Sequence, residues 1–482
     1  MTKDPVSTEP LTPVFNRCQP PGEIDSNHSI DPSIGTPPWV WIGRILLALF
    51  IFGTVALGDI YTGTLSLFGR EIPRIGAWQI LYALGFIGYA LLLFSFRHRP
   101  VSTRAILIAA ILLRLPLLLC PPNNDCNRYA WEGMIQRHGF NPYTVSPEDP
   151  VVAHLRDDVW EGINKKHYST IYPPLSEIEF RFLSTIHYSI KTPQVAHVLW
   201  DMGVIVFLAV LLSRGRRPAW YLAIYALCPL VLASFAHSGH NDTLMILGLL
   251  GFLTAGERKK WLIAGVSLGL AILAKTTPMI LLVLLVRRSR LAIGAALLTV
   301  GLGYLLYMDA GSKLFFALTD FPTRSSFNNP FDAVRIWFRD NTEHVMFLRE
   351  RNYIALAILA CATAYRVWRP RDLLSDARWL LAIVILLLPI IHFWYLSWIV
   401  VLIALSPRGC WAWLLLTGTM VFYWQADLAW QMGGRWKLPL WAACVIWIPF
   451  FVAWIAEWIS ARRSYHPAPN TLLTRPDASR DG

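Results

Sequence analysis

The chain has 482 residues, of which 55% are hydrophobic and only 15% charged, and its mean hydropathy is +0.43. That balance excludes an ordinary soluble domain, whose surface needs more charge than this. The formal charge of +12 does not point to nucleic acid, because the basic residues stand in short clusters between apolar blocks and form no continuous stripe.

In chain order, residues 1–38 hold eight prolines among polar residues and lack the apolar core of a signal peptide. They read as a disordered cytoplasmic tail. From about Trp41 to Ser460 apolar blocks recur, many near the ~20 residues that cross a bilayer as a helix. The expectation is an all-α, polytopic helical bundle in the cell membrane, a single domain over residues 39–461 with roughly 12–14 transmembrane segments. No strand pattern competes with it.

Basic clusters punctuate the blocks: Arg97/Arg99/Arg104, Arg214/Arg216/Arg217, Arg258/Lys259/Lys260, Arg287/Arg288/Arg290 and Arg366/Arg369/Arg371. They mark cytoplasmic loops under the positive-inside rule. The loop of residues 121–192, after the third span, mixes both signs of charge and is placed on the extracytoplasmic side. It opens with Asp125-Cys126-Asn127-Arg128-Tyr129-Ala130-Trp131-Glu132-Gly133, directly after an apolar run that ends at Cys120. Cys120 and Cys126 bracket Asp125, which leaves a small disulfide open as an alternative to free thiols.

Further on, Ala236-His237-Ser238-Gly239-His240-Asn241-Asp242 interrupts two apolar segments on the same outer side. His237 and His240 stand at a spacing that lets them share a helix face and bind phosphate, or a metal with Asp242 as third ligand; the plain alternative is a polar turn capping the next helix. Between Lys260 and Arg287, one span would strand basic clusters on opposite faces. Two legs of about 13 residues, about 20 Å each, turn at Lys275-Thr276-Thr277-Pro278 within the membrane's depth. An ammonium there costs ~3 kcal/mol or more unless it faces a cavity or an anion. Lys275 is therefore a candidate functional cation, with snorkelling toward water as the alternative.

Asn328 lies in another outer loop, Phe327 to Phe331. From Trp379 to Leu405 a second hairpin is expected, with His392 and Tyr395 near its outer mouth. Residues 462–482 close the chain as a second disordered cytoplasmic tail.

The order of these segments carries a resemblance. Asp125 through Gly133, then Gly139-Phe140-Asn141-Pro142-Tyr143 and Ile171-Tyr172-Pro173-Pro174-Leu175, resemble bacterial membrane mannosyltransferase-like proteins of the GT-C glycosyltransferase superfamily, and more distantly the first mannosyltransferase of GPI-anchor synthesis. Gly239-His240-Asn241-Asp242, Lys275-Thr276-Thr277-Pro278 and His392-Phe393-Trp394-Tyr395 look like that family's downstream motifs. The resemblance implies a GT-C-like fold and an enzyme that moves a hexose, mannose first, from a polyprenyl-phosphate carrier to a glycan or lipid acceptor outside the cytoplasm. It maps the family's first-loop aspartate onto Asp125. Asn127 stands where eukaryotic relatives carry a second aspartate, which weakens a metal held by an Asp-x-Asp pair, and Glu132 replaces the usual aspartate after Trp131. A divalent metal remains open and no metal ligand is assigned.

Displacing a lipid phosphate from an anomeric carbon needs a base for the incoming hydroxyl and positive charge for the departing oxygens. Asp125 supplies the first, or else is only an N-cap of the helix that follows. Arg128, His237, His240 and Lys275 are the candidates for donor phosphate. Trp131, Glu132, Asn141, Tyr143, Tyr172, Asp242, Asn328, His392 and Tyr395 are the candidate substrate contacts, and Trp394 offers a further face for sugar. A transporter or flippase of lipid-linked sugars is the competing class.

Overall fold

The computed structural model describes residues 36–463 apart from 68, 325, 331–343 and 408. Most of the two expected tails, and Phe331, lie outside the described residues. The first helix, α1, runs Pro38–Leu57 with proline at its first position, where the missing N–H costs nothing. A short antiparallel hairpin follows, β1 (Thr64–Leu67) on β2 (Arg70–Pro73), in the register Thr64 opposite Pro73. The expectation of no strands is corrected here: these are two four-residue strands, too short for an alternating pattern to register. Next come α2, Arg74–His98, and α3, Thr103–Arg114, whose N-cap Ser102 accepts from the Ala105 N–H.

Among the described residues, five helices are long and apolar enough to cross a membrane: Pro38–Leu57, Arg74–His98, Lys191–Arg214, Trp220–His237 and Leu440–Ser460. Arg290–Leu305 and Met308–Asp320, bent by 111°, make a sixth if taken as one broken span. Thr243–Glu257, Trp261–Ala274 and Phe393–Leu405 are apolar but shorter. Side chains such as Phe52, Phe94, Leu298 and Val452 stand exposed on these helices, as an apolar belt facing lipid requires. The protein is a helical membrane protein, and many of its apolar blocks are broken or shortened.

Two of the breaks fall where charge spacing placed them. The Trp261–Ala274 helix stops at Lys275, which is extended, before a tight turn over Thr277–Leu281 with Pro278 near its start. The helix Leu373–Leu387 gives way to irregular chain up to His392, then a 3-10 turn over Phe393–Leu396 and the helix Ser397–Leu405. Irregular backbone away from water must still find partners. Here Phe327 supplies them, its N–H donating to Pro389 O at 3.1 Å and its carbonyl accepting from the Ile391 N–H at 2.9 Å.

Buried charge ties the bundle together. Arg114 Nε donates to Asp201 Oδ2 at 2.6 Å, Tyr225 Oη donates to Asp201 Oδ1 at 2.7 Å, and Arg114 also bonds the Ala226 carbonyl. Elsewhere Arg288 lies 2.5 Å and Arg366 3.7 Å from the buried Asp376. Two of the basic clusters thus meet on one carboxylate, which places them on one side of the bundle.

The loop of residues 121–192 folds into its own small layer. Its helix α4, Asp125–Arg137, packs on the helix Pro174–Ile186 at Gly133, where an added Cβ would sit 2.1 Å from the Phe180 carbonyl oxygen. Cys120 and Cys126 are free thiols. The alternative of a disulfide is thereby corrected: Cys126 turns its Sγ to the Gly239 carbonyl at 3.4 Å, whereas Cys120 faces the Thr54 carbonyl.

Candidate active site

Asp125 is the first helical residue of α4, and Asn123 Oδ1 accepts its backbone N–H at 3.1 Å. The carboxylate itself caps nothing. Its Oδ2 lies instead 3.3 Å from His240 Nδ1, with the imidazole fully buried and the aspartate side chain 20% exposed. Burial raises the Asp125 carboxyl, but the His240 contact, with the Lys275 ammonium nearby, outweighs it and holds it below the usual carboxylate range. For His240 burial dominates over the raising influence of Asp125, so the ring is neutral at neutral pH. Neutral, it can meet a carboxylate favourably only with the proton on Nδ1.

The segment that carries His240 is fixed by the residues leading into α4 and by the Lys191–Arg214 helix. Asn123 N–H donates to Ser238 O at 3.0 Å, Gln194 Nε2 to the carbonyls of Ala236 and His237 at 2.8 and 2.9 Å, and His197 Nδ1 lies 2.7 Å from Gly239 O. Gly239 has φ +73, a left-handed turn that only glycine enters cheaply, and an added Cβ would meet Cys126 Sγ at 2.8 Å. The close turn delivers His240 to Asp125.

That turn also separates the two histidines. His237 ends a π-helical stretch, Leu232–His237, and its ring lies against Trp78 and Tyr61. The expected shared face for phosphate or metal does not form, because the helical stretch ends at His237 and Gly239, between them, is left-handed. Among the described residues no group of three His, Cys, Asp or Glu side chains comes together as a metal site.

Lys275 joins the site from the broken helix. Its Nζ is 3.0 Å from Asp242 Oδ1 and stands over the rings of Tyr395 and Trp398, 5.1 and 5.7 Å from their centroids. Asp242 is fully buried, and Trp398 Nε1 donates to the same Oδ1 at 2.8 Å. Expected as a substrate contact, Asp242 holds the ammonium instead. Asn241 Nδ2 donates to Ser176 Oγ at 3.0 Å, which in turn donates to the Ala274 carbonyl at 2.8 Å, pinning the end of the helix before Lys275.

His392 enters from the second break. Its ring stacks on Trp394 at 4.1 Å and 5°, and the other face of Trp394 carries His240 at 3.6 Å and 17°. Both faces of the indole are taken, so the expected stacking of sugar on Trp394 is corrected.

Other predicted residues hold the loop layer in shape. Arg128 pairs with Glu132 at 2.9 Å and donates to the carbonyls of Asn164, Lys165 and Tyr168. Trp131 is fully buried in a small core with Ile135 and Val152. Glu177 accepts from Gln136 Nε2 at 2.8 Å and Thr170 Oγ1 at 2.6 Å; burial and then the Glu132 charge push its carboxyl well up, while burial raises Glu132 against the pull of Arg128. Asn141 Nδ2 donates to Asp309 at 2.8 Å and Tyr143 Oη to the Tyr172 carbonyl at 2.8 Å. Tyr172 packs edge-on to Tyr129 and Phe180. Asn328, at φ +51, donates to Ile391 O at 3.1 Å and accepts from Trp447 Nε1 at 3.2 Å, bracing the segment before His392. Sequence reasoning missed Asn123, Trp398 and Tyr423; Asn123 stood two residues before Asp125 and Trp398 in the run after His392, whereas Tyr423 reaches the site as an isolated polar edge in apolar surroundings.

Residues 41–289 match the family model described as Alpha-(1->6)-mannopyranosyltransferase, N-terminal domain. The chain belongs to this family. The match takes in Asp125, His240, Asp242 and Lys275 and ends before His392. No curated protein and no solved structure matches the chain. The protein is accordingly a membrane glycosyltransferase, a mannosyltransferase, and its reaction moves a sugar from a donor to a glycan acceptor. The competing transporter class is not favoured.

Proposed function

We propose that this mannosyltransferase, a GT-C-like domain over residues 39–461 of a cell-membrane protein, takes mannose from a polyprenyl-phosphate carrier and delivers it to a glycan or lipid acceptor on the extracytoplasmic side. The observation that carries the reading is the meeting of Asp125 from the loop layer with His240, and of Lys275 with Asp242, at breaks in apolar helices. An ammonium at a break in an apolar helix, near an ionised carboxylate, suits a substrate that is lipid at one end and phosphate and sugar at the other.

In this reaction the acceptor oxygen attacks the anomeric carbon as its O–H proton passes to Asp125. The bond from that carbon to the phosphate oxygen breaks, and its electron pair leaves with the phosphate toward Lys275. Asp242 and Trp398 keep the ammonium in place. A single displacement inverts the anomeric centre, so the α-(1→6) linkage in the family's description requires a β-linked donor for this chain.

The test is purified protein in detergent, where no compartments exist, given polyprenyl phosphates bearing different sugars. Release of free polyprenyl phosphate with mannose transferred from the β-linked donor fits the proposal. Transfer from a nucleotide sugar alone, with polyprenyl donors untouched, contradicts it.

A further inference from the structure

The imidazole that touches Asp125 is not oriented by ordinary hydrogen bonds. Neither ring nitrogen of His240 has a hydrogen-bond partner of regular geometry among the described residues, and the 3.3 Å approach to Asp125 is its one close polar contact. What fixes the ring plane is the indole of Trp394, parallel within 17° at 3.6 Å. The indole in turn lies flat on His392, within 5° at 4.1 Å, and His392 Nδ1 is anchored 2.7 Å from Tyr423 Oη. Phe393 and Tyr395 meet the indole edge-on, at 90° and 83°. The stack of His392, Trp394 and His240 is therefore clamped at its far end and free to act only at Asp125.

We propose that Trp394 is a positioning residue for the transfer reaction: by stacking on His240 it aims Nδ1–H at the Asp125 carboxylate. This rests on the reading of Asp125 as the base. The charged and titratable groups around the pair are Asp242 and His237 on the segment of His240, Lys275 from the broken helix, His392, Tyr395 and Tyr423 around the indole, and Cys126, Arg128, Tyr129 and Tyr172 of the loop layer, with Lys165 acting on His392. Loss of the donated proton leaves burial opposed by Lys275 with less help, so the Asp125 carboxyl rises and the acid limb of activity moves to higher pH.

The experiment compares the full-length protein carrying Trp394→Leu, Trp394→Phe or Tyr423→Phe with wild type in lipid nanodiscs. Two quantities are read: the pH profile of mannose transfer from β-linked polyprenyl phosphate, and, without substrate, the rate at which diethyl pyrocarbonate acylates His240, mapped by mass spectrometry. Trp394→Leu is expected to lower kcat by about 10²-fold, as a misaligned catalytic group does, to move the acid limb upward and to speed His240 acylation. Trp394→Phe keeps a flat ring and retains most activity; Tyr423→Phe, still folded if Trp394→Leu is not, changes both readouts in the same direction to a smaller degree. Lost activity with an unmoved acid limb, or unchanged acylation of His240 in both Trp394→Leu and Tyr423→Phe, overturns the proposal. Failure of the underlying reading shows separately, as transfer retained by Asp125→Asn.

Discussion

His240 Nδ1 lies 3.3 Å from Asp125 Oδ2, with the imidazole buried and the carboxylate open on one side. An ionised acid with a buried imidazole behind it and an exposed edge in front suits a base that must receive a proton from an incoming hydroxyl.

Removing the donor has a signed consequence. The folded protein holds the Asp125 carboxyl below its usual range, so the base form persists to unusually low pH and activity falls only as pH drops through that lowered value. His240→Ala is expected to shift the acid limb of kcat/KM to higher pH, while leaving the rate on the alkaline plateau less affected than the rate near the limb. A pH–rate series on wild type and variant checks it; coincident acid limbs count against the pairing.

Lys275 and Asp242 make a different test, because one partner is wholly buried. Lys275→Met leaves the Asp242 carboxylate without its cation, and breaking such a pair costs about 3 kcal/mol or more. The double variant Lys275→Met with Asp242→Asn is expected to recover most of the thermal stability without recovering transfer, which separates the structural role of the pair from its role toward the donor. Thermal unfolding in detergent beside initial rates reads both.

Glu177 gives a prediction in the opposite sense of charge. Its folded carboxyl titrates well above the unfolded value, through burial first and the Glu132 charge second. Between the two values the folded state binds the extra proton, so this group's contribution to stability is full below about pH 4 and declines as pH rises through the folded value. Glu177→Gln keeps the hydrogen-bonding shape with Gln136 and removes that decline. The variant should unfold at a higher temperature than wild type near pH 8 and show no advantage near pH 4.

Gly239→Ala tests the turn. A methyl there meets Cys126 Sγ at 2.8 Å in a backbone conformation that disfavours side chains, and relief of the clash moves His240 away from α4. Transfer should fall by about 10²-fold, the scale on which a small displacement of a reacting group acts. Folding of the rest is reported by an unchanged near-ultraviolet spectrum.

The breaks at Lys275 and before His392 were legible because each long apolar stretch was flanked by basic residues, clusters in the first case and Arg378 and Arg408 in the second, that a single crossing would have put on opposite faces. The helical class was legible from hydropathy alone. What the sequence did not disclose is which polar groups meet. Arg128, three residues after Asp125, invited a role at phosphate, yet it turns to Glu132 and to three loop carbonyls. His237 and His240 had helical spacing, but the left-handed Gly239 between them sends one to Trp78 and the other to Asp125. Asp242 stood among apparent substrate contacts and proves to be the partner of Lys275. Such pairings depend on where distant segments cross, and local periodicity carries no record of that.

The most direct measurement is mannose transfer by Asp125→Asn in membranes at matched protein level, with β-linked polyprenyl-phosphate mannose as donor. Asparagine preserves the shape of the side chain and removes the basic oxygen, so loss of about 10²- to 10⁴-fold in kcat with donor binding retained is the predicted result. Transfer at the wild-type rate would contradict the assignment of Asp125 as the base.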